Sequence, residues 1–313
     1  RAGLRPSSAT APGGAHASRY SSELYYAPLS LFTSAGCEHP MLRKASQTLA
    51  TLDCERRRLY RSSISSRKST MSAITASPIT ARQVSVDARP GPLVIAPRHT
   101  AVLVVDAQND FAAEGGMFHR AGLDISPIQA TIKPISRVLE AARKDGLKVV
   151  YLKMAFRPDL SDAGPPGTPN RDRHSFFGVG QAVQTPDGTP TRVLIRDEWG
   201  TQVLPDLAPE PGDVQIYKHR FSGFYQTELD TVLKQQGIRY LIATGCTTSV
   251  CVESTVRDAM FRDYSCLVLE DCCAEPIGSQ FSRSNHEASL LVLQLLFGWV
   301  SPSSAFIQAL SAV

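Results

Sequence analysis

Three stretches of this 313-residue chain end in side chains capable of chemistry. "TAVLVVD" delivers Asp106, "DVQIYK" delivers Lys218, and "RYLIATGCTTSVC" runs into Cys246 and then Cys251. A carboxylate, an ammonium and a thiol together suit nucleophilic attack on a carbonyl. The thiol attacks as its thiolate, a nearby cation lowers its pKa, and the carboxylate accepts the proton and later activates water. Cys251 is the stronger nucleophile candidate. It falls in the first turn of a helical pattern, "SVCVESTVRDAMFRDY", where unpaired N–H groups and the helix dipole favour a thiolate and can meet a developing oxyanion. Cys246, at the strand end, reads as a small apolar filler. Each residue also has a plain structural reading: Asp106 capping a turn, Lys218 a solvated strand end, Cys251 a buried helix residue. The chemical reading rests on their arriving together at equivalent strand ends.

The elements that would bring them there are legible as a rhythm. Continuous apolar runs, as in parallel strands covered on both faces, occur at 100–106, "LKVVYLK", 213–218, "RYLIATG" and "SCLVLED". Helical spacing lies between them: 126–146, stopping at Gly146; 226–237; the segment after Cys251; and "SRSNHEASLLVLQLLFG". Strands alternating with helices predict an α/β fold, a doubly wound, mostly parallel open sheet with helices on both faces. Such sheets bind ligands at the carboxyl ends of their strands. The stretch from Phe156 to Trp199 breaks the rhythm. It is rich in Gly and Pro, and its length predicts a lid or binding wall, with a tolerated surface insertion as the alternative.

Composition narrows the function classes. The net charge of +4 is unevenly distributed: residues 1–85 hold 12 Lys and Arg against 4 Asp and Glu, leaving 21 against 25 for the rest. A mildly acidic globular part gives no sign of a nucleic-acid partner, and no apolar run reaches membrane-spanning length. Seven cysteines, two of them adjacent (Cys272 and Cys273), do not suggest a secreted disulfide framework. Reduced thiols and a cytoplasmic setting are expected. Residues 1–85, Ser- and Arg-rich without hydrophobic periodicity, predict a disordered segment outside a hydrolase domain at 86–313. They also look like an organelle targeting segment. Residues 1–70, ahead of Met71, are favoured as upstream sequence absent from the working protein. Neither G-x-S-x-G nor a Gly-rich phosphate loop is present. His119 and His174 stand apart from any ligand spacing and read as loop or surface residues, so neither metal nor cofactor is expected.

The motifs "VLVVDAQNDF", "YKHRFSGFYQTELDTVL" and "ATGCTTSVCVESTVRDA" resemble those of the isochorismatase-like cysteine hydrolases, in the family's order and over about residues 98–312. The resemblance implies a catalytic triad of Asp106, Lys218 and Cys251. It also implies a cis peptide at Cys246–Thr247, an oxyanion hole from the N–H groups of Thr247 and Cys251, and a homo-oligomer. Within the family, "GGMFHRAGLDIS", "GTPN" and "FGWVS" are similar to ureidoacrylate amidohydrolases, while "RPDL" and "LVLEDCC" are similar to biuret hydrolases. The chain departs from the former at "KMAFRP", at Phe221 in place of Tyr, and in the central loop. Gln108, Phe111, Phe156, Trp199 and Phe221 are the substrate-pocket candidates. The expected activity is C–N hydrolysis of a small amide or ureido substrate through a thioester, with the ureidoacrylate type favoured. Biuret, nicotinamide or N-carbamoyl hydrolysis, and a non-catalytic binding protein, are the alternatives. The D-x-H pattern of metal-binding nicotinamidases is absent after the second strand.

Overall fold

β3 (Thr100–Val105) shows how this chain makes its core. All six of its residues are buried, and its side chains alternate between two separate apolar clusters. Val102 and Val104 face one cluster; Ala101, Leu103 and Val105 face the other. A strand apolar on both faces must lie inside a sheet covered on both sides. Burying a side chain such as Leu103 contributes about 1.5–3 kcal/mol.

The structure, a computed structural model, describes residues 82–312. In chain order the strands are β1 (Val84–Val86), β2 (Leu93–Ile95), β3, β4 (Lys148–Met154), β5 (Ala182–Gln184), β6 (Pro190–Arg192), β7 (Val214–Lys218), β8 (Tyr240–Cys246), β9 (Ser265–Ala274) and β10 (Trp299–Ser301). Six form the central sheet in the order β10-β9-β8-β3-β4-β7, and every pairing in it is parallel. Helices Ser126–Lys144 and Ser303–Ser311 cover one face, through Ile135, Val138, Leu139 and Phe306. Helices Leu229–Gln235 and Glu253–Met260 cover the other, through Leu229, Leu233, Val256 and Ala259. This is the doubly wound α/β fold expected from the alternating pattern. Among the described residues no helix is long and apolar enough to cross a membrane.

The expectations for residues 1–70, and for most of 1–85, fall outside the described residues. The last of that span does not: β1 pairs antiparallel with β2 and buries Val84 and Val86 in the core, across the expected boundary at residue 86. The helix after β3 ends at Lys144 before Gly146, whose φ of +74° suits a residue without a Cβ. The stretch between Phe156 and Trp199 is not bare loop. It contains the helix Pro169–Phe176 and the antiparallel hairpin β5–β6.

Candidate active site

Register brings the three candidate residues to one level. Val105 pairs with Leu152 of β4 and with Gly245 of β8, and Met154 pairs with Lys218. Asp106, Lys218 and the turn after Cys246 therefore meet at the carboxyl edge of the sheet, on β3, on the edge strand β7 across β4, and on β8. Gly245 is required there. Its φ is +105°, and a Cβ would stand 2.0 Å from the Val105 carbonyl oxygen. Asp106 itself leaves the strand with φ +50°, a left-handed conformation that Asp tolerates better than most residues.

Asp106 and Lys218 are fully buried and Cys251 is 5% exposed. The Lys218 Nζ lies 2.8 Å from Asp106 Oδ2 and 3.3 Å from Cys251 Sγ. It is held further by the Arg220 carbonyl at 3.4 Å and the Met154 sulfur at 3.5 Å. Asp106 Oδ1 accepts the Met154 N–H at 2.9 Å. Oδ2 pairs with the ammonium but has no donor aligned on it among the described residues, so it retains a lone pair for a proton.

Burial pushes Asp106 above the usual carboxylate range, against the pull of Lys218. Burial alone would lower Lys218, but Asp106 and then Cys251 hold its ammonium above the usual value. For Cys251, burial and then the Asp106 carboxylate push the thiol up, outweighing Lys218. Burial and the Asp106 charge therefore work against the thiolate expected from a helix N-terminus, and the Lys218 ammonium works for it. The local backbone differs as well. Cys251 sits in a π-helical turn, Thr248–Val252, and the α-helix starts after it at Glu253. Ser249 secures this turn: its N–H and hydroxyl both donate to the Glu275 carboxylate.

The peptide bond Cys246–Thr247 is cis. The Cys246 thiol donates to the Asp106 carbonyl at 3.3 Å, so this cysteine ties β8 to β3 as well as filling space. Thr247 and Cys251 both line a cavity of about 310 Å³, at the small end of ligand pockets. Met154 lies beside them, and Phe111, Phe118 and Phe221 form apolar wall. The Phe156–Trp199 stretch supplies Arg173, His174, Phe177 and Leu194 to the same cavity and so forms part of its wall.

Of the five pocket candidates, Phe111 and Phe221 line the cavity. The other three lie elsewhere. Gln108 is fully buried and brackets β4, accepting the Met154 N–H at 2.7 Å and donating to the Met154 carbonyl at 3.0 Å. Phe156 is a core residue behind His174, and Trp199 opens a 3-10 turn whose carbonyl accepts from Asn109. His174 is not a surface residue. It is buried between Phe156 and Phe221, with ring centroids 5.0 and 5.4 Å away. Its Nδ1–H donates to the Asn170 carbonyl at 2.7 Å, and burial holds it neutral. His119 is exposed and accepts the Gly115 N–H. Among the described residues no group of three or more His, Cys, Asp or Glu is placed to hold a metal.

Asp110 escaped the sequence reading. Its buried carboxylate accepts the Met117 N–H at 3.1 Å and the Leu194 N–H at 2.8 Å, joining two walls of the cavity. An acidic residue four positions after a strand-end Asp is the only signal that pointed to it.

A doubly wound α/β protein with an acid, an amine and a thiol converging on a strand-end cavity is the class that fold and site define. The chain belongs to the isochorismatase family: the isochorismatase domain matches residues 100–305. The ureidoacrylate amidohydrolase RutB of Caulobacter segnis is 38% identical over 229 residues, covering 73% of this chain and 93% of that protein. The RutB of Enterobacter sp. is 38% identical over 230 residues, covering 72% and 96%. Among solved structures, a cysteine hydrolase from Pseudomonas syringae pv. phaseolicola superposes with a TM-score of 0.59 at 29% identity, over 74% of this chain and 99% of that one. An isochorismatase family protein from Desulfovibrio vulgaris does so with 0.56 at 25% identity, over 69% and 100%.

Proposed function

We propose that this protein is a cysteine-dependent amidohydrolase that cleaves a C–N bond of a small ureido or amide substrate, ureidoacrylate first among them. The observation that carries the reading is the buried contact of Lys218 with both Asp106 and Cys251 at one end of an apolar cavity. The likeness to ureidoacrylate amidohydrolases over nearly their whole length supports the substrate class.

The three side chains divide the chemistry between them. Asp106 Oδ2 takes the proton of the Cys251 thiol as the sulfur attacks the carbamoyl carbon, and Lys218 stabilises the anion formed. The N–H groups of Thr247 and Cys251 meet the oxyanion. The C–N bond breaks, and the leaving nitrogen takes the proton held by Asp106. The S-acyl (for a ureido substrate, S-carbamoyl) enzyme is then attacked by water. Asp106 removes the water's proton, the C–S bond breaks, and the sulfur recovers its proton. Self-association, implied by the family resemblance, belongs to the same proposal and is read by sedimentation velocity.

The test is ammonia release from ureidoacrylate, biuret, nicotinamide and N-carbamoyl amino acids, with Cys251→Ala as control. Turnover of ureidoacrylate that disappears in the variant supports the proposal. Equal rates in the two proteins, or no turnover of any of these compounds, refutes it.

A further inference from the structure

The cavity wall contributed by helix Pro169–Phe176 has a charge that the reaction as described does not use. Arg173 lines the cavity and is exposed, which puts this residue at the mouth, apart from the buried Asp106–Lys218 pair. Its neighbours on the cavity surface are aromatic, aliphatic or neutral. The other cations nearby are committed: Lys218 to Asp106 and Cys251, and Arg220 to the carbonyls of Asp162 and His219 at 2.8 and 2.6 Å. Among the described residues no carboxylate pairs with Arg173. His174, next in sequence, is neutral and clamped between Phe156 and Phe221, which anchors the helix over the cavity. A net positive rim over an apolar interior selects an anion. Carrying a carboxylate into such a cavity is unfavourable unless a cation meets it, and the planar guanidinium fork matches a carboxylate.

We propose that Arg173 is a specificity-determining residue, binding at the cavity mouth the carboxylate of a flat, largely apolar substrate whose scissile carbonyl lies against Cys251. This rests on the amidohydrolase reading above for what happens at Cys251, but not for the recognition itself. Uncharged amides such as biuret and nicotinamide lack the group that Arg173 would hold, so the site favours ureido or amido acids over them. The aromatic side chains of Phe111 and Phe221 stack against a planar unsaturated chain better than against a branched one.

The experiment uses the full chain and a matched pair of alkylating agents, 4-bromocrotonate and 4-bromocrotonamide, with labelling of Cys251 followed by peptide mass. The two differ in the charge at the end remote from the reacting carbon. The quantity read is the acid-to-amide rate ratio, which corrects each variant for its own thiol reactivity. The ratio is expected to exceed that of free cysteine in the wild type. It should fall about 10- to 100-fold in Arg173→Met and Arg173→Gln, with partial recovery in Arg173→Lys, the range expected on losing a charged hydrogen-bonding partner. A ratio identical in the wild type and both neutral variants overturns the proposal. If the ratio depends on Arg173 but ureidoacrylate is not hydrolysed, the anion site stands and the amidohydrolase reading falls. The reverse pattern removes Arg173 and leaves the hydrolase.

Discussion

Replacing Lys218 with methionine keeps most of the side-chain volume and removes a charge with no access to solvent. The ammonium is 3.3 Å from Cys251 Sγ. At an effective dielectric constant of 20 its attraction for a thiolate there is about 5 kcal/mol, an upper bound on the shift in the thiol's ionisation. Part of this is offset. Without its partner 2.8 Å away, the Asp106 carboxyl rises further, and to the extent that it is neutralised it repels the thiolate less. A net rise of at least one unit, about 1.4 kcal/mol, is expected, with roughly tenfold slower thiolate chemistry below the pKa. The assay is the pH dependence of iodoacetamide labelling at Cys251 in both proteins. Stability gives a second, independent sign. A carboxyl raised above its unfolded value contributes stability that is present at low pH and lost as pH rises through the folded pKa. Since Lys218→Met raises Asp106 further, the stability gap between wild type and variant should widen as pH rises above the ordinary carboxylate range. Superimposable labelling curves together with a pH-independent gap would refute the coupling of these three residues.

Cys251→Ala should abolish amide hydrolysis with the melting temperature little changed. Cys246→Ala, losing the bond to the Asp106 carbonyl, should cost about 1–2 kcal/mol of stability and only part of the rate, measured by urea unfolding and ammonia release. Gly245→Ala should destabilise by more than about 3 kcal/mol, because its Cβ meets the Val105 carbonyl at 2.0 Å; a folded variant of wild-type stability would contradict the strand packing. Burial pushes the Asp110 carboxyl up to about 6. Its contribution to stability is therefore fully present below about pH 4 and lost as pH rises through about 6, and Asp110→Asn should remove that slope from urea titrations. Dialysis against a strong chelator should leave the hydrolytic rate unchanged, and loss of rate restored by zinc or manganese would count against a side-chain mechanism.

The residues that sequence displays best are those closing long buried strands. Asp106 and Lys218 are conspicuous because they end apolar runs, and parallel pairing brings such ends to one edge without further information. What lies beyond the strand ends is harder to read. Cys251 falls in a first helical turn by spacing, but that turn is π-helical and is held through Ser249 by Glu275, which follows a strand distant in sequence. β1, β2 and β10 have three residues each, too few for periodicity to register, and the polar helix Pro169–Phe176 has no apolar stripe in "PNRDRHSF". Gln108 and Phe156 follow strands, as pocket residues would, yet they point into the packing; a one-residue difference in where a strand stops decides this. His174 was hidden for the opposite reason, since its burial depends on two aromatic partners far apart in the chain.

The wall segment begins and ends at one point. The Phe156 N–H donates to the Leu194 carbonyl and the Arg196 N–H donates to the Phe156 carbonyl, while Asp110 holds Leu194 from the sheet edge. Everything between 157 and 193 is thus an excursion whose two ends are stitched together before it leaves the body of the protein. Because closure is secured at the seam, the cost of lengthening such an excursion grows only with the logarithm of its length. The segment can therefore diverge or be exchanged as a cassette while Asp106, Lys218 and Cys251 stay in register. A natural or engineered change of substrate in this scaffold would be written there, with the reacting groups left alone.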